Sequence, residues 1–129
     1  MSNIEDKKII LIVDDTKANI DVLSGVLRPT YKTKIALNGE KALKLAATEP
    51  KPDIILLDIM MPDMDGYEVC RHLKIDAGTT DIPVIFLTAK DQEKAKKKGL
   101  DLGAVDFISK PINPNILLER VEFYLQQTG

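Results

Sequence analysis

The chain is poor in the residues that mark disulfide-rich, zinc-binding and membrane-spanning proteins. Its single cysteine, Cys70, excludes an internal disulfide framework and is typical of a reducing compartment. Its single histidine, His72, has no companion at the spacing of a metal-ligand set. No apolar run reaches the length of a membrane span, and the N-terminus lacks the order of a signal peptide. We therefore expect a cytoplasmic protein without a membrane segment.

The chain also lacks a large charge excess of either sign. Its 129 residues carry a formal net charge of −2, which gives no argument for attraction to nucleic acid or to anionic lipid. One basic run, from Lys90 through Lys94 to Lys96–Lys98, is typical of a solvated helix face, and its role stays open. This length suits one domain over residues 1–129, with a core at about residues 7–126.

Short, continuous apolar runs are what the chain does contain, and such runs are typical of strands covered on both faces. They predict five strands, at residues 9–13, 34–37, 54–57, 84–87 and 105–109. Helical patterns follow each strand. Strand and helix thus alternate five times, which predicts an α/β fold with a doubly wound parallel sheet and five helices on both faces.

Helix boundaries can be read at several places. The first helix carries Ile20, Leu23 and Leu27 on one face, and the second covers residues 39–47. Asp65 caps the third, with Glu68 completing a capping-box-like pair. The fourth runs from residue 91 to about 102. Asn113 and Pro114 begin the fifth, in the N-cap and N1 positions.

Polar side chains follow four of the five predicted strands, at the point where each strand ends. They are Asp14 and Asp15, Asp58, Thr88 and Lys110. The carboxyl ends of parallel strands share one edge of the sheet, which is where such folds bind ligands. Three clustered carboxylates repel one another, so a divalent cation is their natural occupant. A cation beside a carboxylate nucleophile, a hydroxyl and an ammonium is suited to receiving a phosphoryl group.

Four segments together resemble the receiver domain of the response-regulator family of two-component signalling. They are residues 11–15 (LIVDD), 57–66 (LDIMMPDMDG), 86–89 (FLTA) and 103–111 (GAVDFISKP). Each segment is weak evidence alone. All four occur in the right order and spacing, each at a strand end, and the resemblance covers essentially the whole chain. It implies a flavodoxin-like sheet with strand order 2-1-3-4-5.

The resemblance also implies a role for each site residue. Asp58 is expected to be the phosphoacceptor. Asp15, Asp58 and the backbone carbonyl of Met60 are expected to bind Mg²⁺ directly, with Mn²⁺ as a possible substitute, and Asp14 mainly through water. Thr88 is expected to donate its hydroxyl to the phosphoryl group, and Lys110 to pair with Asp58 or with the phosphoryl oxygens.

Signalling follows from the same resemblance. The phosphoryl donor is expected to be a sensor histidine kinase or a phosphotransfer protein. Thr88 would move toward the phosphoryl group, and Phe107, the aromatic switch, would rotate into the space left behind. Pro111 matches a cis proline of the family. The output is expected to be a homodimer or a downstream effector, bound through the fourth helix, fifth strand and fifth helix.

The fifth helix adds its own evidence for a contact surface on this side. Ile116 and Phe123 project together, away from the stripe formed by Leu117 and Val121, and Arg120 lies between them. Two apolar side chains beside an arginine are typical of a protein contact surface, although scattered surface apolar residues are also normal. Nucleic-acid binding is not expected, because no recognition helix or aromatic platform accompanies the lysines.

Two other functions stay open from the residues alone. A small Mg²⁺-dependent phosphatase of the haloacid-dehalogenase type also ends its first strand with acids, but its two aspartates are separated by one residue, whereas Asp14 and Asp15 are adjacent. A docking module that is never phosphorylated is the third possibility. Failure of Asp58 to accept phosphate would favour that module, and turnover of a phosphate ester would favour the phosphatase.

Overall fold

The computed structural model of the chain describes residues 7–89 and 93–127. Its strands are β1 (Ile9–Val13), β2 (Lys32–Ala36), β3 (Ile54–Asp58), β4 (Val84–Thr88) and β5 (Asp106–Ser109). Its helices are α1 (Lys17–Leu27), α2 (Gly39–Ala47), α3 (Gly66–Ile75), α4 (Glu93–Asp101) and α5 (Pro114–Gln127). All strand pairs are parallel, and the sheet order is β2-β1-β3-β4-β5. The predicted fold class and strand order are confirmed.

Two apolar layers hold the helices against the sheet. Alternate residues of β1 and β3 face opposite layers, because successive side chains of a strand point to opposite faces. Leu11 and Ile55 pack on the side of α2 and α3, whereas Ile10 and Ile54 pack on the side of α1 and α5. These three central strands, β1, β3 and β4, are buried along their whole length. Because both faces of these strands are buried, their sequences are continuous apolar runs rather than alternating ones.

The second strand differs from its prediction. It begins at Lys32 and ends at Ala36, two residues earlier than predicted at its start, and Leu37 lies beyond it with half of its surface exposed. Because β2 is an edge strand with only a partly buried face, a search for apolar runs misplaces it. The backbone pairing of Ile9 with Lys32 sets its true start.

The predicted N-termini of α3 and α5 are confirmed by their caps. Asp65 accepts a hydrogen bond from the backbone N–H of Glu68 at 3.0 Å, and Asn113 accepts from Asn115 and Ile116. The Glu68 carboxylate pairs with Arg71, so the reciprocal half of the capping box is replaced by an ion pair along the helix. None of the helices in the described ranges is long and apolar enough to cross a membrane.

The basic run is only partly described. Lys97 and Lys98 are exposed on α4. The side chains of Lys90, Lys94 and Lys96 lie outside the described residues. The predicted start of the helix at residue 91 also falls there, and the described part of α4 begins at Glu93.

Candidate functional site

Three carboxylates meet at the carboxyl edge of the sheet. Asp14 and Asp15 directly follow β1, and Asp58 is the last residue of β3, which pairs with β1. One ligand oxygen from each lies within 4.8 Å of the others. Asp14 and Asp58 are buried, at 0% and 3% exposure, whereas Asp15 is exposed to solvent. The cluster therefore opens to solvent through Asp15.

Lys110 brings a positive charge into this cluster from the loop after β5. Its Nζ donates to Oδ1 of Asp58 at 2.8 Å and to Oδ2 of Asp14 at 3.3 Å. The other oxygen of Asp14 accepts from the backbone N–H of Thr16 at 2.9 Å and from the amide of Asn19 at 3.4 Å. Both buried carboxylates are thus held in place from the protein side, which fixes their positions relative to Asp15.

The charges of the site shift the pKa values of the central pair. Burial raises the pKa of Asp58 above the ordinary range, and the nearby charges of Asp14 and Asp15 add to this, although Lys110 works against it. For Lys110, burial alone would lower the pKa, but its hydrogen bonds and charge interactions with Asp58 and Asp14 outweigh burial and raise it. These surroundings therefore favour the charged form of Lys110, and they compensate the ionised form of Asp58 only in part.

Thr88 ends β4 beside this cluster. β4 pairs with β3, and Leu87 lies opposite Asp58 in the register. The Thr88 hydroxyl is buried and donates to the backbone carbonyl of Ala89 at 2.6 Å. The structure thus brings the five predicted residues to one edge of the sheet. It also gives the Thr88 hydroxyl a partner in its own loop, which the sequence did not indicate.

Residues 10–122 of this chain match the family model of the response regulator receiver domain. The chain belongs to that family. Response regulator PleD of Caulobacter vibrioides is 48% identical over 113 residues, which are 87% of this chain and 25% of PleD. The receiver domain described here therefore spans about a quarter of the length of that relative.

Solved receiver structures agree with the fold. The receiver domain of Francisella response regulator 1452 superimposes with a TM-score of 0.86 at 30% identity, covering 95% of this chain and 99% of that one. The receiver domain of the Pseudomonas aeruginosa sensor histidine kinase PA1611 gives a TM-score of 0.85 at 26% identity, covering 93% and 98%. That structure has a magnesium ion coordinated in its active-site cleft.

The acidic cluster of this receiver domain is chemically suited to such an ion. Its donors are carboxylate oxygens, which are the ligands that Mg²⁺ prefers in proteins. Met60 follows in the loop after β3, and its backbone carbonyl is the candidate ligand, because Mg²⁺ takes oxygen ligands and a soft thioether does not suit it. A cation here would also relieve the repulsion among Asp14, Asp15 and Asp58.

Phe107 of this receiver domain is buried, at 7% exposure, and stacks on Phe86 with ring centroids 5.7 Å apart. It lies on β5, one strand away from Thr88 on β4. The Lys110–Pro111 peptide bond is cis, and so is the Glu49–Pro50 bond, which was not predicted.

Several supporting contacts were not foreseen from the sequence. Gly66 is one, since a β carbon there would collide with the backbone oxygen of Asp58 and lie 2.8 Å from the Cα of Ile59. Its own N–H donates to the carbonyl of Ile59 at 2.9 Å. The Asp-Gly that closes the longest motif was the available signal. Gly66 lets α3 begin directly against the backbone of the candidate phosphoacceptor.

Arg120 is another. Its guanidinium donates to Asp106 and to the backbone carbonyl of Phe107, both at 3.1 Å. The Tyr124 hydroxyl donates to the same carboxylate at 3.0 Å. These contacts attach α5 to β5, the edge strand that carries Phe107. In the sequence, Arg120 is distinguished only by its place between two exposed apolar residues.

Proposed function

We propose that this receiver domain accepts a phosphoryl group on Asp58, from a sensor histidine kinase or a phosphotransfer protein, in a reaction that requires Mg²⁺. One observation carries the proposal: the buried Asp58 carboxylate lies 2.8 Å from Lys110 inside a cluster of three acids. That carboxylate has a cationic hydrogen-bond donor and a place for a divalent cation beside it. The domain acts as a phosphoacceptor switch that assists its own phosphorylation and dephosphorylation.

In the transfer, an oxygen of Asp58 forms a bond to phosphorus while the phosphorus–nitrogen bond of a donor phosphohistidine breaks. The electron pair of that bond stays on the imidazole. Lys110 and Thr88 stabilise the charge on the phosphoryl oxygens, the latter after its hydroxyl leaves the carbonyl of Ala89. Mg²⁺, bound by Asp15, Asp58 and the Met60 carbonyl, and through water by Asp14, would supply further charge neutralisation. Positioning and charge neutralisation provide most of the catalysis in phosphoryl transfer.

The energy available from these contacts sets the size of the conformational response. A hydrogen bond to a charged group is worth about 1.5–3 kcal/mol. Two new bonds of this kind would approach the ~5.5 kcal/mol that inverts a 1:99 equilibrium. The Lys110 bond already exists to Asp58, so Thr88 supplies most of the new interaction. A local rearrangement around β4 and β5 is therefore the expected scale of the switch.

Mass spectrometry tests the assignment of Asp58 directly. Incubation with acetyl phosphate and Mg²⁺ should add one phosphoryl group, and Mn²⁺ should substitute for Mg²⁺. Asp58→Asn or EDTA should abolish the labelling, whereas Asp21→Asn, at an exposed aspartate of α1, should not change it. Full labelling of the Asp58→Asn variant would contradict the proposal, and hydrolysis of a phosphate ester without phosphoprotein would favour the phosphatase reading.

The output surface is assigned to the side of α4, β5 and α5. Among the residues whose side chains the structure describes, four large apolar ones are exposed there: Leu100 (51%), Val105 (37%), Ile116 (40%) and Phe123 (52%). Ile116 and Phe123 lie on either side of Arg120 along α5, and Val105 directly precedes β5, the edge strand that carries Phe107. An exposed apolar group next to a strand that responds to phosphorylation is suited to a second copy of the chain or to a downstream effector.

Sedimentation in the presence of beryllofluoride, a mimic of the aspartyl phosphate, tests this surface. We expect self-association or partner binding that Phe123→Ala weakens about tenfold, without loss of Asp58 phosphorylation. Val22→Ala is the matched control, because Val22 is equally exposed, at 53%, but lies on α1. An activated assembly that is the same in the wild type and in Phe123→Ala would remove this surface from the function.

A further inference from the structure

Three aromatic rings form a row beneath α4. Tyr67 of α3 meets Phe86 of β4 edge to face, with centroids 5.5 Å apart, and Phe86 stacks on Phe107 of β5 at 5.7 Å. Lys98 of α4 lies over the ring of Tyr67, with its Nζ 4.4 Å from the centroid. The row therefore runs from α3 across β4 to β5, and Lys98 of α4 covers its first ring.

Gly99, the residue after Lys98, is the point at which α4 touches this row. A β carbon built there would lie 2.6 Å from Cζ of Phe107 and 2.7 Å from two ring carbons of Phe86. Both distances are far below ordinary contact between carbon atoms. The ring of Phe107 thus occupies space that exists only because residue 99 has no side chain.

The neighbours of Gly99 decide which group would yield to a side chain. The Gly99 carbonyl accepts hydrogen bonds from the N–H groups of Leu102 and Ala104, at 3.1 and 3.0 Å, which tie the end of α4 to the loop before β5. Phe86 is fully buried between its two aromatic neighbours on a central strand. Phe107 lies on the edge strand, with solvent beyond it, so its ring has the easiest way out.

We propose that Gly99 is a positioning residue for Phe107: it forms the seat that keeps this ring buried before any phosphoryl group is present. In this receiver domain the ring of Phe107 is already buried against Gly99, and its burial does not require a space to open near Thr88. Its burial depends on how closely α4 approaches β4 and β5. The seat is a property of the resting chain, so its test is independent of whether Asp58 accepts phosphate. Its consequence, that a signal through Phe107 must move α4, rests on the proposed function.

The chain offers internal standards for a test by NMR. It contains three phenylalanines. Besides Phe107 these are Phe86, which is 0% exposed and serves as the buried standard, and Phe123, which is 52% exposed and serves as the exposed standard. Ring-¹³C phenylalanine, with a soluble nitroxide as a relaxation agent, reports the solvent contact of each ring without adding bulk. Phe107→Leu and Phe123→Leu assign the signals. The experiment uses the unphosphorylated chain with EDTA present.

In the wild type, relaxation enhancement at Phe107 should match that of Phe86. In Gly99→Ala it should rise severalfold, toward that of Phe123. Gly25→Ala is the matched control, since Gly25 is also a helical glycine but a β carbon there meets nothing within 4 Å. It should leave all three signals unchanged. A folded Gly99→Ala variant whose Phe107 stays as protected as Phe86 would overturn the proposal.

A double-mutant cycle covers the case in which Gly99→Ala folds poorly. Phe107→Leu removes one of the two rings that the new methyl group would meet and leaves Phe86 in place, so the loss of Tm caused by Gly99→Ala should be smaller in the Phe107→Leu background. Recovery of folding in the double variant would likewise support the seat. Additive losses of Tm, or a double variant that folds no better than Gly99→Ala, would overturn it, because then the two residues would not compete for one space.

Discussion

Lys110 carries out two tasks that oppose each other electrostatically. It compensates the buried carboxylates of Asp58 and Asp14, which hold it at 2.8 and 3.3 Å. It also occupies oxygens of the cluster that is proposed to bind a cation. Since the pKa of Asp58 is raised despite this lysine, one ammonium does not balance the desolvation of Asp58 and the charges of its two acidic neighbours, Asp14 and Asp15. Without a cation, the negative charge of the ionised cluster is therefore only partly compensated, and a bound cation would compensate it further.

The first prediction concerns Asp58→Asn in the absence of metal. A raised pKa means that the native state holds the Asp58 proton to a higher pH than the unfolded chain does. Native protein then binds more protons than unfolded protein, so the free energy of unfolding falls as pH rises through that window. With EDTA at pH 7, Asp58→Asn should be more stable than the wild type, because it removes this cost of ionising Asp58 in the native state.

Urea denaturation between pH 4 and 8 would measure this difference. The gain of the Asn variant should shrink as the pH is lowered below the pKa of Asp58, because the wild-type carboxyl group is then neutral too. An Asn variant that is equally stable or less stable than the wild type at pH 7 would mean that Lys110 fully compensates the charge.

A second prediction concerns Gly66, where an added β carbon would point at the backbone of Asp58 and Ile59. Backbone atoms cannot move aside as a side chain can, so Gly66→Ala should cost about 2–4 kcal/mol of stability. Gly25→Ala, in open space on α1, should instead stabilise the helix by roughly 0.5–1 kcal/mol. Chemical denaturation of both variants measures the contrast, and similar effects of the two changes would contradict this account of Gly66.

At the scale of elements, the central strands and the helix caps were predictable because their causes are local. A strand buried on both faces must be a continuous apolar run, and a cap needs a side-chain acceptor next to the first turn. The start of β2 at Lys32 was not predictable, since an edge strand is set by its partner, here β1. The contacts of Arg120 were equally hidden, because they join residues 14 and 13 positions apart.

The end of α3 provides the third prediction. The Thr79 hydroxyl donates to the carbonyl of Leu73 at 2.7 Å in a buried position, and the Thr48 hydroxyl donates to the carbonyl of Lys44 at 2.7 Å in an exposed one. Thr79→Val leaves a buried carbonyl without its partner, which costs about 1–3 kcal/mol. Thr48→Val exposes its carbonyl to water and should cost a few tenths. Thermal unfolding of both variants should show this order, and the reverse order would contradict it.

At the scale of the whole molecule, the sheet order brings together residues that are distant in the chain. Asp14 and Lys110 are 96 positions apart and 3.3 Å from each other. Their proximity could be predicted, because parallel strands in a doubly wound sheet end at one edge. The buried position of Phe107 could not, since it depends on the approach of α4, and no local pattern around residue 107 encodes that distance.

The last prediction follows from the coupling between the site and the fold. Asp14, Asp15 and Asp58 lie close together only when β1 and β3 are paired, so a cation that binds them binds the native state and not the unfolded chain. Mg²⁺ should therefore raise the free energy of unfolding with concentration, by about 2.7 kcal/mol at one hundred times its dissociation constant. The effect should weaken on acidification at a pH where an ordinary aspartate is still ionised, because the pKa of Asp58 is raised.

Asp15→Asn should remove most of the Mg²⁺ effect, since it takes one charged ligand from the open side of the cluster, whereas Asp21→Asn, at a solvent-exposed carboxylate paired with Lys17, should keep it. Thermal unfolding over a magnesium titration measures both, and an Asp15→Asn variant that is stabilised as much as the wild type would place the cation elsewhere.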